Sequence, residues 1–331
     1  MSENKKIPVF DIALGAKEKE YIKDCVDTSF IGQGPYVKKL EEKFSDFVDC
    51  KYGITTTSGT TALHLACAAL GIKKDDQVLV SSSTNMACPF AIDYCGAIPI
   101  PIDIEKETWQ LDVSKIEEKI NDKTKAIMVV HLFGHPVDMD PVLKIAKKHN
   151  LKIIEDCAEA HGVEYKGKKV GSIGDIGTFS FFANKTITCG EGGMVVTNSP
   201  EIAEKAKSLK NLAYGKVNKF MHEDIGFNYR LPNISAALGL GQFENIENVF
   251  KEKERIYNRY KKNLENIKGI NVPVVREWVS KYIMWVFNIY LDNEFPISRD
   301  ELTKKLKENN IDTRDAFVPI NQQKVLIDKY K

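Results

Sequence analysis

The 331 residues include 47 Lys and Arg against 46 Asp and Glu, a net charge of +1, and 43% of them are hydrophobic. A chain of this length and apolar share supports one large domain plus a smaller one. Its balanced charge gives no reason to expect nucleic acid or an anionic membrane as a partner.

The start, MSENKKIPVFDIALG, lacks the apolar stretch of a signal peptide. No run reaches about 18 apolar residues, so no helix is expected to span a membrane. Cysteines stand at 25, 50, 67, 88, 95, 157 and 189 with no CxxC pair, which reads as reduced thiols in the cytoplasm. Strand-like YGITTTS (52–58) precedes helical TTALHLACAALGI. QVLVSS (77–82) leads into a helix around MACPFAIDYCG, and IPIPIDI (98–104) into helical VSKIEEKI. KAIMVVHLFG (125–134) precedes DPVLKIAKKHN, with LKIIEDCA (151–158) directly after it. Short Val- and Ile-rich strands separated by helices predict an α/β fold, a mostly parallel sheet with helices on both faces.

The pattern changes after about residue 235. GQFENIENVFKEKERIYNRYKKNLENI (241–267) reads as one long helix, with Phe243, Ile246, Phe250, Ile256 and Tyr257 near helical spacing. MWVFNIYL (284–291) is strand-like, and Ser298 with Glu301 has capping-box spacing ahead of another helix. The expected division is a large domain over 1–240, with an N-terminal arm, and a smaller α+β domain over 241–331.

Ligands of open parallel sheets bind at the carboxyl ends of the strands. After the first strand come Ser58, Gly59, Thr60 and Thr61, opening a helix whose N–H groups could hold an anion or simply be capped. No Walker A loop and no GxGxxG fingerprint accompanies them. His131 and His135 with Asp138 and Asp140 could form a metal cluster, but Gly134 and Pro136 place them in a turn rather than on one helix face. Asp156 ends an apolar strand, beside Glu155, Glu159 and His161. A carboxylate there needs a cation, from a salt bridge or from a ligand. GTFSFFANKTITCGEGGMVV (177–196) sets Lys185 between an aromatic strand and a glycine-rich loop. Cys189 nearby has no visible base and reads as a small packing residue. An anion site, a strand-end acid and a shielded lysine together meet the needs of pyridoxal 5′-phosphate.

SGTTALHLA, EDCAEAHG, FSFFANKTITCGEGG and GFNYRLPNISAALGLGQFE occur in order, and the chain resembles the DegT/DnrJ/EryC1/StrS sugar aminotransferases over almost its whole length. Within that family the stretch from EDCAEAHG to CGEGG is most similar to the perosamine synthases. The resemblance implies the aspartate aminotransferase fold (fold type I) with a seven-stranded sheet. It also implies a homodimer with shared sites, and transfer of an amino group from L-glutamate to C4 of a nucleotide-linked 4-keto-6-deoxy sugar destined for surface polysaccharide. Carried over, it makes Lys185 the lysine that binds the cofactor aldehyde and moves the proton, and Asp156 the partner of the ring nitrogen. Glu159 would stand near the 3-oxygen. Ser180 and the backbone around Thr60 and Thr61 would hold the phosphate, and Asn228 would reach the phosphate of the neighbouring subunit. His161, Tyr229, Arg230 and Arg314 are candidates for the sugar-nucleotide side. Where relatives carry a ring-stacking aromatic, this chain has Asn85 and Met86. A 3-dehydratase of the family would have histidine at the lysine position, so Lys185 argues against it. Amination at C3 and a non-catalytic regulator on the same fold are the other readings. Relatives run on for several dozen residues past Lys331, so the small domain is expected to be incomplete.

Overall fold

The computed structural model describes residues 6–330. The first five residues of the stretch read for a leader lie outside them, as does Lys331. The strands, in chain order, are β1 (Tyr52–Thr56), β2 (Gln77–Ser81), β3 (Ile98–Ile102), β4 (Thr124–Val130) and β5 (Lys152–Asp156). The short β6 (Glu164–Tyr165) and β7 (Lys168–Lys169) follow, then β8 (Ile176–Ser180) and β9 (Gly193–Thr197). Seven of them form one sheet in the order β1-β9-β8-β5-β4-β2-β3. β9 pairs antiparallel with β1 and β8, and the other pairings are parallel. Six strands therefore point the same way and bring their carboxyl ends to one edge.

The helices are α1 (Ala16–Asp27), α2 (Pro35–Phe47), α3 (Gly59–Ala69), α4 (Ala87–Tyr94), α5 (Met139–His149), α6 (Pro200–Lys210), α7 (Asn233–Phe243) and α8 (Ile246–Leu264). Their distribution follows from the two-residue period of the strands. In β4, Ile127 and Val129 face one core with Leu40, Phe44, Val142, Leu240 and Phe250, from α2, α5, α7 and α8. Ala126, Met128 and Val130 face a second core with Leu63, Ile92 and Ala203, from α3, α4 and α6. Burial on both faces explains why these strands read as unbroken apolar runs.

Three expected elements differ. VSKIEEKI forms two 3₁₀ turns, Val113–Lys115 and Glu117–Lys119, not a helix. Asp112 takes the Ser114 N–H in a local turn, and only Ile116 of the stretch is buried, so no apolar stripe extends the coil. The long helix breaks at Glu244 and Asn245, where Asn245 leaves helical geometry at φ −106°, ψ 10°. Glu244 is anchored there by Lys17, Tyr21 and Lys43. Of 284–291, only Tyr290–Leu291 pairs, with Ile270–Asn271. The backbone of Trp285 is spent instead on Phe133 and Lys253.

The expected cap on Ser298 is present. Its side chain accepts the Glu301 N–H (3.2 Å) at the start of α9 (Arg299–Glu308). Beyond it the chain returns to the sheet: Ile320 N–H donates to Ser82 O (2.8 Å), and α10 (Lys324–Lys329) buries Leu326 in the second core. No helix among the described residues is long and apolar enough to cross a membrane.

Candidate active site

The pleat of β5 sends its last two residues to opposite faces. Glu155 points toward the first core and is fully buried. Its carboxylate accepts N–H groups of Gly171 (2.9 Å), Ile173 (2.8 Å) and Gly174 (2.6 Å) and meets His131 Nε2 (3.1 Å). Val137 N–H donates to His131 Nδ1 (3.2 Å), so the ring proton sits on Nε2 and points at Glu155. Glu155 thus fastens the 171–174 loop.

Asp156, one residue on, turns toward α3 and α4. It is 5% exposed; Oδ1 accepts the Ala158 N–H (2.9 Å), and Oδ2 receives only the Cys88 thiol (3.0 Å). No cation among the described residues meets this carboxylate. A buried carboxylate held by one amide and one weak thiol donor is left for a positively charged ligand.

The start of α3 lies alongside. Ser58 caps it, its hydroxyl accepting Thr61 N–H (3.2 Å) while Thr61 Oγ1 takes the Ser58 N–H (2.9 Å). The N–H groups of Gly59 and Thr60 remain as the helix's orphan donors. A Cβ on Gly59 would stand 2.7 Å from Ser180 Cβ, so glycine is what lets the helix start rest against Ser180 at the end of β8. Two N–H groups, a hydroxyl and a positive helix end make an anion cradle.

Past Ser180 the chain turns, Lys185 N–H donating to Phe182 O (2.9 Å). Lys185 Nζ lies 3.6 Å from Glu159 Oε1, in a pair whose side chains are 11% and 6% exposed. Glu159 Oε2 accepts the Phe133 N–H (2.9 Å). Burial pushes the Glu159 carboxyl up to about 7, against the opposing pull of Lys185 and the Phe133 N–H. Phe133 itself is held at φ 56°, ψ 18°, an uncommon left-handed backbone for an aromatic residue. Trp285, which the sequence reading does not single out, places its ring 3.9 Å from Lys185 Nζ.

These residues fit pyridoxal 5′-phosphate: an anion cradle, an acid without a cation, and a half-shielded primary amine at one sheet edge. The structure thus brings Ser58, Gly59, Thr60, Thr61, Asp156, Glu159, Ser180 and Lys185 to the carboxyl ends of β1, β5 and β8.

The remaining candidates meet other groups within the chain. Asn85 is exposed and spends its side chain on the Ala87 N–H (2.9 Å), while Met86 packs into the second core. His161 is fully buried against Phe44, Phe179 and Phe181, and burial pulls its ring down to about 3, so the ring is neutral. Tyr229 hydroxyl meets His64 Nδ1 (2.9 Å) on α3. Arg230 bonds Asn228 Oδ1 (3.0 Å) and Asn211 Oδ1 (3.1 Å), and Asn228 is exposed. Arg314 is exposed, its guanidinium 5.7 Å from the Phe10 ring. Among the described residues, Tyr229, Asn228, Arg230 and Arg314 make these contacts and none with the lysine cluster.

The four residues weighed as a metal cluster are dispersed. His135 Nδ1 meets Pro136 O (2.9 Å) and its Nε2 accepts the Arg276 N–H (3.2 Å), while Asp138 accepts from Tyr165 and Asp140 from Lys166. His131, Glu155 and Cys157 do cluster, but Glu155 is saturated by amide donors and burial pushes the Cys157 thiol up. Cys189 packs against Gly239, whose hypothetical Cβ would lie 2.3 Å from the sulfur, and burial raises its thiol too.

Residues 13–331 match the model of the DegT/DnrJ/EryC1/StrS aminotransferase family. The chain is 45% identical over 331 residues to the GDP-perosamine synthase of Escherichia coli O157:H7, covering 99% of this chain and 89% of the relative. The GDP-perosamine synthase of Vibrio cholerae is 41% identical, with 95% and 85% covered. Among solved structures, Helicobacter pylori PseC, an aminotransferase involved in the biosynthesis of pseudoaminic acid, superposes with a TM-score of 0.92. It is 26% identical, covering 98% of this chain and 88% of that one.

Proposed function

The chain belongs to the DegT/DnrJ/EryC1/StrS aminotransferase family, and on that premise we propose that it moves an amino group from L-glutamate to the C4 keto group of a nucleotide-linked 4-keto-6-deoxy sugar. The observation that carries the reading is the buried Asp156, without a cation among the described residues, at the same sheet edge as Lys185 and the Ser180 cradle. The choice of C4 and of a GDP-linked sugar is supported by likeness to the GDP-perosamine synthases.

Pyridoxal 5′-phosphate, when bound, supplies an aldehyde that accepts an amino group and a ring that draws electrons from the neighbouring carbon. The side chains do the rest. Gly59 and Thr60 N–H groups and the Ser180 hydroxyl bind the phosphate and fix the ring's position. Asp156 keeps a proton on the ring nitrogen, and its burial makes that charge pair strong. Lys185 Nζ would take the proton from the glutamate Cα as general base and, in the second half of the cycle, donate one to C4 of the sugar as general acid. Glu159 sits beside that amine, its carboxyl raised by burial to about 7. Trp285, backed by Phe133, covers the amine and keeps water from it.

Two copies form the working unit in this reading. Val217, Phe220, Met221 and Ile225 are strongly exposed apolar residues just before the exposed Asn228. Such a patch is suited to burial against a second subunit, which would bring Asn228 to the neighbouring phosphate. The seven free cysteines support the cytoplasm as the compartment.

Purified protein should be yellow with bound cofactor, and borohydride should fix the cofactor to Lys185. Incubation with glutamate and a panel of GDP-, UDP- and dTDP-linked keto sugars should give a 4-amino product by NMR only with the cognate nucleotide. Lys185→Ala should abolish turnover. A colourless protein that gains no colour with added pyridoxal phosphate would sink the reading, and an amine at C3 would correct the regiochemistry.

A further inference from the structure

Trp285 arrives at the site from a segment one hundred residues beyond Lys185, and every polar handle it has is engaged. Its N–H points at Phe133 O (3.4 Å), its carbonyl accepts Lys253 Nζ (3.0 Å), and its indole Nε1 donates to Asn184 O (2.9 Å). Its ring lies nearly parallel to Phe133, 9° between planes and 6.4 Å between centroids. Phe133 is itself pinned through its N–H by Glu159. The ring that results from this anchoring stands 3.9 Å from Lys185 Nζ, on a side chain only 11% exposed.

Two of these contacts bear on the lysine directly. The Nε1 bond fixes the carbonyl of Asn184, the residue immediately before Lys185. The ring face offers the ammonium a negative quadrupole where water would otherwise solvate it. Glu159 approaches the same nitrogen through Oε1, the partner oxygen of the one that fixes Phe133. Backbone and amine are therefore held by one indole and one carboxylate that share a neighbour.

We propose that Trp285 is the positioning residue for Lys185, holding its backbone through Asn184 and its amine against the ring face. The inference rests on the reading of Lys185 as the cofactor-binding lysine. It makes the docking of the 283–288 segment a condition for a correctly placed amine. Trp285 acts through Lys185 and is not itself a reacting group.

The experiment uses the full chain freed of cofactor, then incubated with pyridoxal 5′-phosphate and trapped with borohydride, with the labelled lysine found by peptide mapping. Trp285→Ala should slow labelling at Lys185 by about tenfold, because an amine no longer held in one place meets the aldehyde less often in a productive geometry, and spread label to other lysines. Trp285→Phe keeps the ring face and loses the Asn184 bond, so it should recover most of the rate. In a Trp109→Phe, Trp278→Phe background the emission of Trp285 alone should shift on Lys185→Ala. Labelling of Trp285→Ala at the parent rate and position, or emission unmoved by Lys185→Ala, overturns the proposal. Should Trp285→Ala fail to fold, Trp285→Phe and the emission shift still decide. Parent protein that takes no label at Lys185 overturns the cofactor reading instead.

Discussion

Glu155, Asp156 and Glu159 are three buried acids within five positions, and their surroundings give them three tasks. Glu155 is saturated by amides, Asp156 is left without a cation, and Glu159 shares space with an amine. Glu159 has a consequence for stability. Burial raises its carboxyl from 4.5 to about 7, so the folded protein holds that proton more tightly than the unfolded chain. Its contribution is fullest below about pH 4.5 and is lost as pH rises through about 7. The cofactor-free protein should therefore lose on the order of 3 kcal/mol across that window from this residue alone. Glu159→Gln keeps an acceptor for Phe133 and cannot ionise, so it should flatten the slope. Urea unfolding at pH 5 and pH 8 measures both proteins, and an unchanged slope in the variant refutes the assignment. Asp156 and Lys185 were legible at this scale because an acid ending an apolar strand and a lysine among glycines are each locally odd. His161 looked equally chemical in EDCAEAHG, but nothing local reveals that its ring is surrounded by Phe44, Phe179 and Phe181.

Elements whose pattern is set by their own burial were legible, and elements shaped by distant partners were not. β2, β4 and β5 fall where apolar runs place them because both faces of each are covered. The helix break at Glu244 depends on Lys17 and Lys43, more than two hundred positions earlier. Trp285 was hidden for the same reason, since MWVFNIYL alternates like a strand while its tryptophan bonds Asn184. The junction of α3 with β8 gives a sharper test. Gly59→Ala would bring a methyl to 2.7 Å from Ser180 Cβ and push the helix start off the cradle. Overpacking of this kind costs about 1–3 kcal/mol, and pyridoxal phosphate affinity should fall by at least the same factor that shifts the unfolding midpoint. Absorbance titration beside a thermal melt separates the two; unchanged affinity would show that the helix start does not hold the phosphate.

For the whole molecule, the sheet gathers the cradle, the acid and the lysine at one edge, while segments 283–288 and 317–320 close over that edge. The exposed apolar run before Asn228 predicts a dimer, with a light-scattering mass about twice 37.3 kDa. Mixing Lys185→Ala with Asn228→Ala subunits should then restore part of the activity that each variant lacks, whereas a monomeric mass would rule out a shared site. The opposed side chains that end β5 also set a rule for length changes. Deleting one residue between 151 and 154 would not merely shorten the strand; it would rotate the two acids, aiming Glu155 at the cofactor pocket and Asp156 at the 171–174 loop. Both positions would still hold a carboxylate, yet one with a longer reach would meet the ring and a shorter one would fall away from the amides. Indels here would exchange anchor and ligand, so natural variation in loop length should be tolerated before residue 151, and not between 151 and 159.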